Sequence, residues 1–147
     1  MDARLRGHDR VKMNKLKGNI IDIVSSEHIS MIAVDVQGDI FSSIVLEGKK
    51  GPRNYKVTDK VTVLFKETEV GIAKNLTGLI SFRNRFTSTI KRIEKGPILS
   101  KISLDYKNNL IESIISTKSA DQMKLRQGDE VEWLVKTNEV TLMKDLA

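Results

Sequence analysis

The chain has no cysteine in its 147 residues, only two histidines, and seven aromatic side chains. Without thiols there is neither a disulfide framework nor a thiolate metal centre, a composition that suits a reducing compartment. His8 and His28 stand apart, with no second imidazole or carboxylate at ligand spacing, so nothing marks a transition-metal cation site. No apolar run is long enough to span a bilayer, and the opening MDARLRGHDR has no apolar signal core. A soluble, unexported, cytoplasmic protein is expected. No nucleophile, base and orienting acid assemble along the sequence. The glycines and cations of residues 48–53 lack the G-x-x-x-x-G-K-(S/T) spacing of a phosphate loop and read as a solvated loop. Catalysis is not expected, and no catalytic residue is assigned.

What the chain does have is a repeat. Residues 14–77 align with residues 84–147 at a constant offset of 70 without a gap, and 16 of the 64 pairs are identical. Chance gives about one pair in sixteen. The identities include Asn14/Asn84, Ile20/Ile90, Ser43/Ser113, Asp59/Asp129, Lys66/Lys136, Glu69/Glu139 and Val70/Val140. The implied organisation is a tail of residues 1–12, a first module of residues 13–77 and a second of residues 78–147. Each module is near the lower size limit for a self-sufficient core, so the halves are expected to pack on each other or on further copies.

The net charge of +6 is unevenly spread. Residues 1–18 hold Arg4, Arg6, Arg10, Lys12, Lys15 and Lys17 against Asp2 and Asp9, a net +4 that leaves +2 for the rest. A basic arm can contact phosphates, although a short charged terminus is commonly just solvated.

Period-two alternation and β-branched residues predict strands over 19–24, 29–36, 40–46, 61–66 and 69–73, repeated over 89–93, 98–106, 110–116, 131–136 and 139–144. Gln37-Gly38-Asp39 and Lys107-Asn108-Asn109 read as matching hairpin turns. Residues 119–125 read as one short helical turn, and no long helix is supported. The fold class is all-β: two tandem OB-like Greek-key small barrels, each of about five strands with one short helical turn. Ile20, Ile23, Ile32, Val34, Ile44, Val61 and Leu64, their counterparts in the second copy, and Phe41, Phe65 and Trp133 are the expected core.

The second copy also carries motifs in order: Ser81-Phe82-Arg83-Asn84, then Ile114-Ile115-Ser116-Thr117-Lys118-Ser119, then Leu125-Arg126-Gln127-Gly128-Asp129-Glu130-Val131, then Leu134-Val135-Lys136-Thr137-Asn138-Glu139-Val140. This order resembles the molybdate-binding Mop (or TOBE) domain, with its pattern S-x-R-N, I-(S/T)-x-x-S, L-x-x-G-x-x-V, x-x-K-(A/S/T)-x-x-V. In tandem it resembles a di-Mop molbindin or the ligand-sensing half of molybdate-dependent transcription regulators. The resemblance implies a protein that stores, buffers or senses molybdate or tungstate, with anion sites where modules or subunits meet. It implies no covalent cofactor, no membrane, and a homo-oligomer, a trimer in preference to a dimer. By carry-over, Ser81, Arg83, Lys136 and Thr137 bind the oxyanion, Ser116 adds a hydroxyl from a neighbouring module, and Asn84 either joins them or binds backbone. All are hydrogen-bond donors, as a dianion requires, and a cation adds charge-assisted bonds worth roughly 1.5–3 kcal/mol each.

Copy one departs from this pattern. Val11 and Met13 replace the opening Ser and Arg, Leu46 replaces the strand-three hydroxyl, and Glu67 stands where copy two has Thr137. A carboxylate there repels an oxyanion and is expected to pair with Lys66, so the first module is read as degenerate. Ser88 stands where the family has glycine. Alternatives remain at each position: Arg83 and Lys136 as surface cations, Lys66 and Lys136 paired with Glu69 and Glu139, and Ser116 as a helix cap. The rival function is an OB-like nucleic-acid-binding module using the basic N-terminal tail, which requires exposed stacking aromatics.

Overall fold

The computed structural model describes residues 11–46 and 55–145. The basic residues 1–10 and the loop of residues 48–53 lie outside the described residues. Ten strands form two five-stranded antiparallel-paired sheets: β1 (Met13–Ser26), β2 (Ile29–Val36), β3 (Asp39–Leu46), β4 (Lys60–Lys66), β5 (Gly71–Ala73), β6 (Asn84–Lys95), β7 (Leu99–Tyr106), β8 (Asn109–Ser116), β9 (Glu130–Val135) and β10 (Thr141–Lys144). Among the described residues one α-helix, α1 (Thr117–Gln122), follows β8. The class is all-β, two OB-like barrels, as the alternation predicted.

The strand orders are β10-β4-β1-β2-β3 and β5-β9-β6-β7-β8. Each sheet therefore takes its outermost short strand from the other repeat. Thr141–Lys144 of copy two pairs with residues 61–64 of copy one, and Gly71–Ala73 of copy one pairs with residues 132–134 of copy two. The compact units follow the sheets. One, here the β1–β4 unit, contains residues 15–65, Phe82–Asn84 and the described residues from Val135; the other, the β6–β9 unit, contains the described residues up to Asn14, Lys66–Ser81 and Arg85–Leu134.

Local chemistry repeats with the sequence. Both β2–β3 and β7–β8 hairpins turn through two residues at positive φ, Gln37 and Gly38 in one and Lys107 and Asn108 in the other. These turns match the twist of the flanking strands. The Asp35 and Asp105 carboxylates accept the N–H groups of Gly38 and Asn108, each at 3.1 Å. Register shifts fall at equivalent places, between Ile20 and Asp22 and between Ile90 and Arg92. The bulges release backbone to other partners: Ile20 N–H donates to Asp59 O at 2.9 Å, and Ile90 N–H donates to Asp129 O at 2.8 Å.

Most positions the alternation marks are buried, including Ile20, Ile32, Val34, Val61 and their counterparts, but Ile23, Ile44, Leu64 and Ile93 are only half-buried and stand at the margin of the cores. In the β1–β4 unit Phe41 and Phe65 are fully buried with ring centroids 6.4 Å apart. In the β6–β9 unit Trp133 lies 5.1 Å from Phe86 and 5.2 Å, edge-on, from Tyr106. Three boundaries differ from the sequence reading. β1 and β6 extend further toward the N-terminus, the helical turn starts earlier, at Thr117, and 3-10 turns at Glu67–Glu69 and Thr137–Glu139 delay the last strands. Ser116 explains the earlier helix start: its Oγ accepts the Ser119 N–H at 3.0 Å and caps the helix.

Candidate functional site

Asn84 opens β6, and the β1–β4 unit uses it as a clamp. Its side-chain Oδ1 accepts the Ser42 N–H at 2.7 Å and its Nδ2 donates to Ser42 O at 2.9 Å, with no exposure to solvent. The bidentate amide completes the backbone of the edge strand β3 and fixes the chain beside Arg83. Asn14 does the same in the β6–β9 unit, donating to Glu112 O at 2.9 Å and accepting its N–H at 2.8 Å. Of the two possibilities for Asn84, the backbone partner is occupied, which leaves one amide hydrogen to offer.

A second clamp holds the other candidate segment. Ser43 Oγ donates to Val140 O at 2.7 Å, anchoring the chain just past the turn that bears Thr137. Tyr55 Oη donates to Leu142 O at 2.9 Å on the same strand. Burial pushes the Tyr55 hydroxyl above its ordinary pKa, so it stays a donor. Ser113 Oγ repeats the first contact in the β6–β9 unit, to Val70 O at 2.6 Å.

Arg83, Asn84, Lys136 and Thr137 thus share the β1–β4 unit, whereas Ser81 and Ser116 belong to the β6–β9 unit. Ser81, Arg83, Ser116 and Lys136 are exposed and Thr137 is half-buried. Among the described residues, the side chains of Ser81, Arg83, Lys136 and Thr137 have no hydrogen-bond or ion-pair partner. Neighbouring Arg85 differs sharply: its Nε and Nη2 each donate to Glu132 at 2.9 Å. That hydrogen bond raises the Arg85 pKa and ties the guanidinium to the sheet. Arg83, not Arg85, has its guanidinium available. Ser116 is engaged as the α1 cap, its Oγ also donating to Ser119 Oγ at 2.9 Å.

The first copy looks different. Glu67 does not pair with Lys66, contrary to the expectation from sequence. Its side chain is 2% exposed, its Oε2 accepts the Lys12 N–H at 2.7 Å, and its Oε1 lies 3.6 Å from Lys101 Nζ. Lys101, itself buried, also holds Glu112 Oε2 at 2.8 Å. Burial explains the choice of partner, because a carboxylate drawn inside needs a buried cation and backbone N–H rather than a solvated lysine. The sequence reading missed Lys101. Its signal was present in the repeat: Lys101, Glu112 and Glu67 have the uncharged Met31, Ser42 and Thr137 as their repeat counterparts.

No group of acidic, histidine or cysteine side chains among the described residues could hold a metal cation. No helix is long and apolar enough to cross a membrane among the same residues. Five of the seven aromatics are buried, and the other two, Tyr55 and Phe82, are half-buried.

Residues 80–142 match the sequence profile of the TOBE domain family. Among solved structures, the chain is similar to the cytoplasmic molybdate-binding protein ModG, crystallised with molybdate bound. The two share 20% identity and a TM-score of 0.82 over 88% of this chain and 94% of that one. No curated protein matches.

Proposed function

Taking residues 80–142 as a TOBE domain, we propose that this protein binds a small tetrahedral oxyanion, molybdate or tungstate, and stores, buffers or senses it in the cytoplasm. The observation that carries the reading is the set of side-chain donors left without partners among the described residues, Ser81, Arg83, Lys136 and Thr137, at the positions where the family motif expects ligands. Its fold is that of a protein crystallised with molybdate, which supports the same ligand class. The second copy bears the site and the first is degenerate. Arg83 and Lys136 supply charge-assisted bonds, Ser81 and Thr137 supply hydroxyls, and Asn84 acts chiefly by holding the Arg83 segment against Ser42. Ser116 comes from a neighbouring module in a homo-oligomer, a trimer in preference to a dimer, and its hydroxyl turns from Ser119 Oγ to the anion while its oxygen still caps α1.

Because the ligand would bind only the folded state, it raises the melting temperature by mass action. Millimolar molybdate or tungstate is expected to raise it by several degrees, whereas chloride at equal ionic strength does not. No shift with either oxyanion rejects the proposal. The rival nucleic-acid reading lacks its stacking platform, since no aromatic side chain among the described residues is exposed.

A further inference from the structure

We infer that the first copy's counterpart of this site is filled by the protein's own anion: the Glu67 carboxylate is a tethered ligand, and Lys101 is its counter-cation. The inference rests on the function proposed above and names what became of the second site. Glu67 is the repeat counterpart of Thr137 and lies in the matching 3-10 turn. Its carboxylate accepts the N–H of Lys12, the repeat counterpart of Phe82, which sits between the candidate ligands Ser81 and Arg83. Thus a negative group already occupies the place where the second copy offers a hydroxyl and an opening-motif backbone N–H.

Three further observations agree. The carboxylate is almost completely buried, and its Oε1 has no hydrogen-bond partner, only the longer ionic contact to Lys101. Glu67 N–H in turn donates to Lys12 O at 3.0 Å, so the turn and the opening segment are locked by a reciprocal pair. The whole charged set, Glu67, Lys101 and Glu112, corresponds to the uncharged Thr137, Met31 and Ser42, so the tethered anion arrives together with its cation. A group held at such effective concentration excludes a diffusible anion from the same place. Only the second copy's site then exchanges ligand.

The test removes the tethered anion from one unit and installs it in the other, in the full-length protein. Glu67→Ala opens a gap of about the size of acetate beside Lys101 and the Lys12 N–H. Its melting temperature should fall. Sodium acetate or formate at about 0.1 M should then restore at least about 3 °C more than it adds to the native protein, with no such effect of sodium chloride. Thr137→Glu should keep the ligand-free melting temperature within about 2 °C of native, as a substitution outside the core does, and weaken molybdate binding at least about a hundredfold. If Glu67→Ala does not fold, the Thr137→Glu titration decides. Absence of any carboxylate rescue in a folded Glu67→Ala protein overturns the inference, as does native-like molybdate affinity in Thr137→Glu. Failure of the native protein to bind molybdate would instead reject the function, and the carboxylate rescue would still report on Glu67.

Discussion

Asn84 illustrates how one residue type serves two ends. Its position in the opening motif resembles a ligand, yet both of its polar atoms face the backbone of Ser42 in a solvent-free setting. Truncation to alanine strands a buried N–H and a buried carbonyl, each costing roughly 1–3 kcal/mol. Asn84→Ala is therefore expected to lower stability by about 2–6 kcal/mol, measured by urea unfolding, while Asn84→Asp keeps only the acceptor half of the clamp. A loss no larger than that of an ordinary surface substitution would show that the clamp is dispensable. The identity Asn14/Asn84 was legible in the repeat; the partner was not. Nothing in an asparagine's neighbours tells which distant edge strand it will complete. Lys101 was harder still, because a lysine between Ser100 and Ile102 reads as an outward position until Glu67 and Glu112 are known to share its interior.

Among the elements, the exchanged strands are secured by ion pairs that recur at equivalent places in the repeat. Lys74 Nζ lies 3.1 Å from Asp129 Oδ2, and Lys144 Nζ lies 3.4 Å from Asp59 Oδ2. Each aspartate also closes its own turn, accepting the N–H of Arg126 or Lys56 at 2.9 Å. The Lys74 hydrogen bond, then that of Arg126, lowers the Asp129 pKa below its ordinary 3.8; for Asp59 the Lys56 N–H comes first and Lys144 adds to it. A depressed folded-state value stabilises the fold above the unfolded pKa, and the contribution disappears as pH falls through the lower folded value. Melting temperature should thus decline below about pH 4, with a shallower decline in Asp59→Asn and Asp129→Asn. An unchanged acid limb in both variants would refute the assignment. Strands and hairpin turns were legible because alternation and turn residues act locally. The 3-10 turns at residues 67–69 and 137–139 were not, since the run from Lys66 to Val70 alternates well enough to pass for strand.

For the whole molecule, repeat and compact unit are different sets of residues, and the sequence is silent on this. β5 and β10 stand at equivalent places in the repeat, so nothing in the repeat pattern marks that each pairs with a strand of the other copy. Residues 78–147 expressed alone lack both β4, the partner of β10, and β5, the partner of β9. They should not form a folded monomer, only an unfolded chain or an exchanged dimer by light scattering and circular dichroism. A stable native-like monomer would contradict the exchange. The family resemblance was legible where the strand exchange was not, because the motif residues keep their order and spacing regardless of which sheet each strand joins. The most direct test of the central claim is calorimetric titration of molybdate into the native protein and into Arg83→Ala, Lys136→Ala and Lys66→Ala. The account predicts saturable binding, at least about tenfold weaker without Arg83 or Lys136 and nearly unchanged without Lys66. Absence of binding, or equal losses at Lys66 and Lys136, would contradict it.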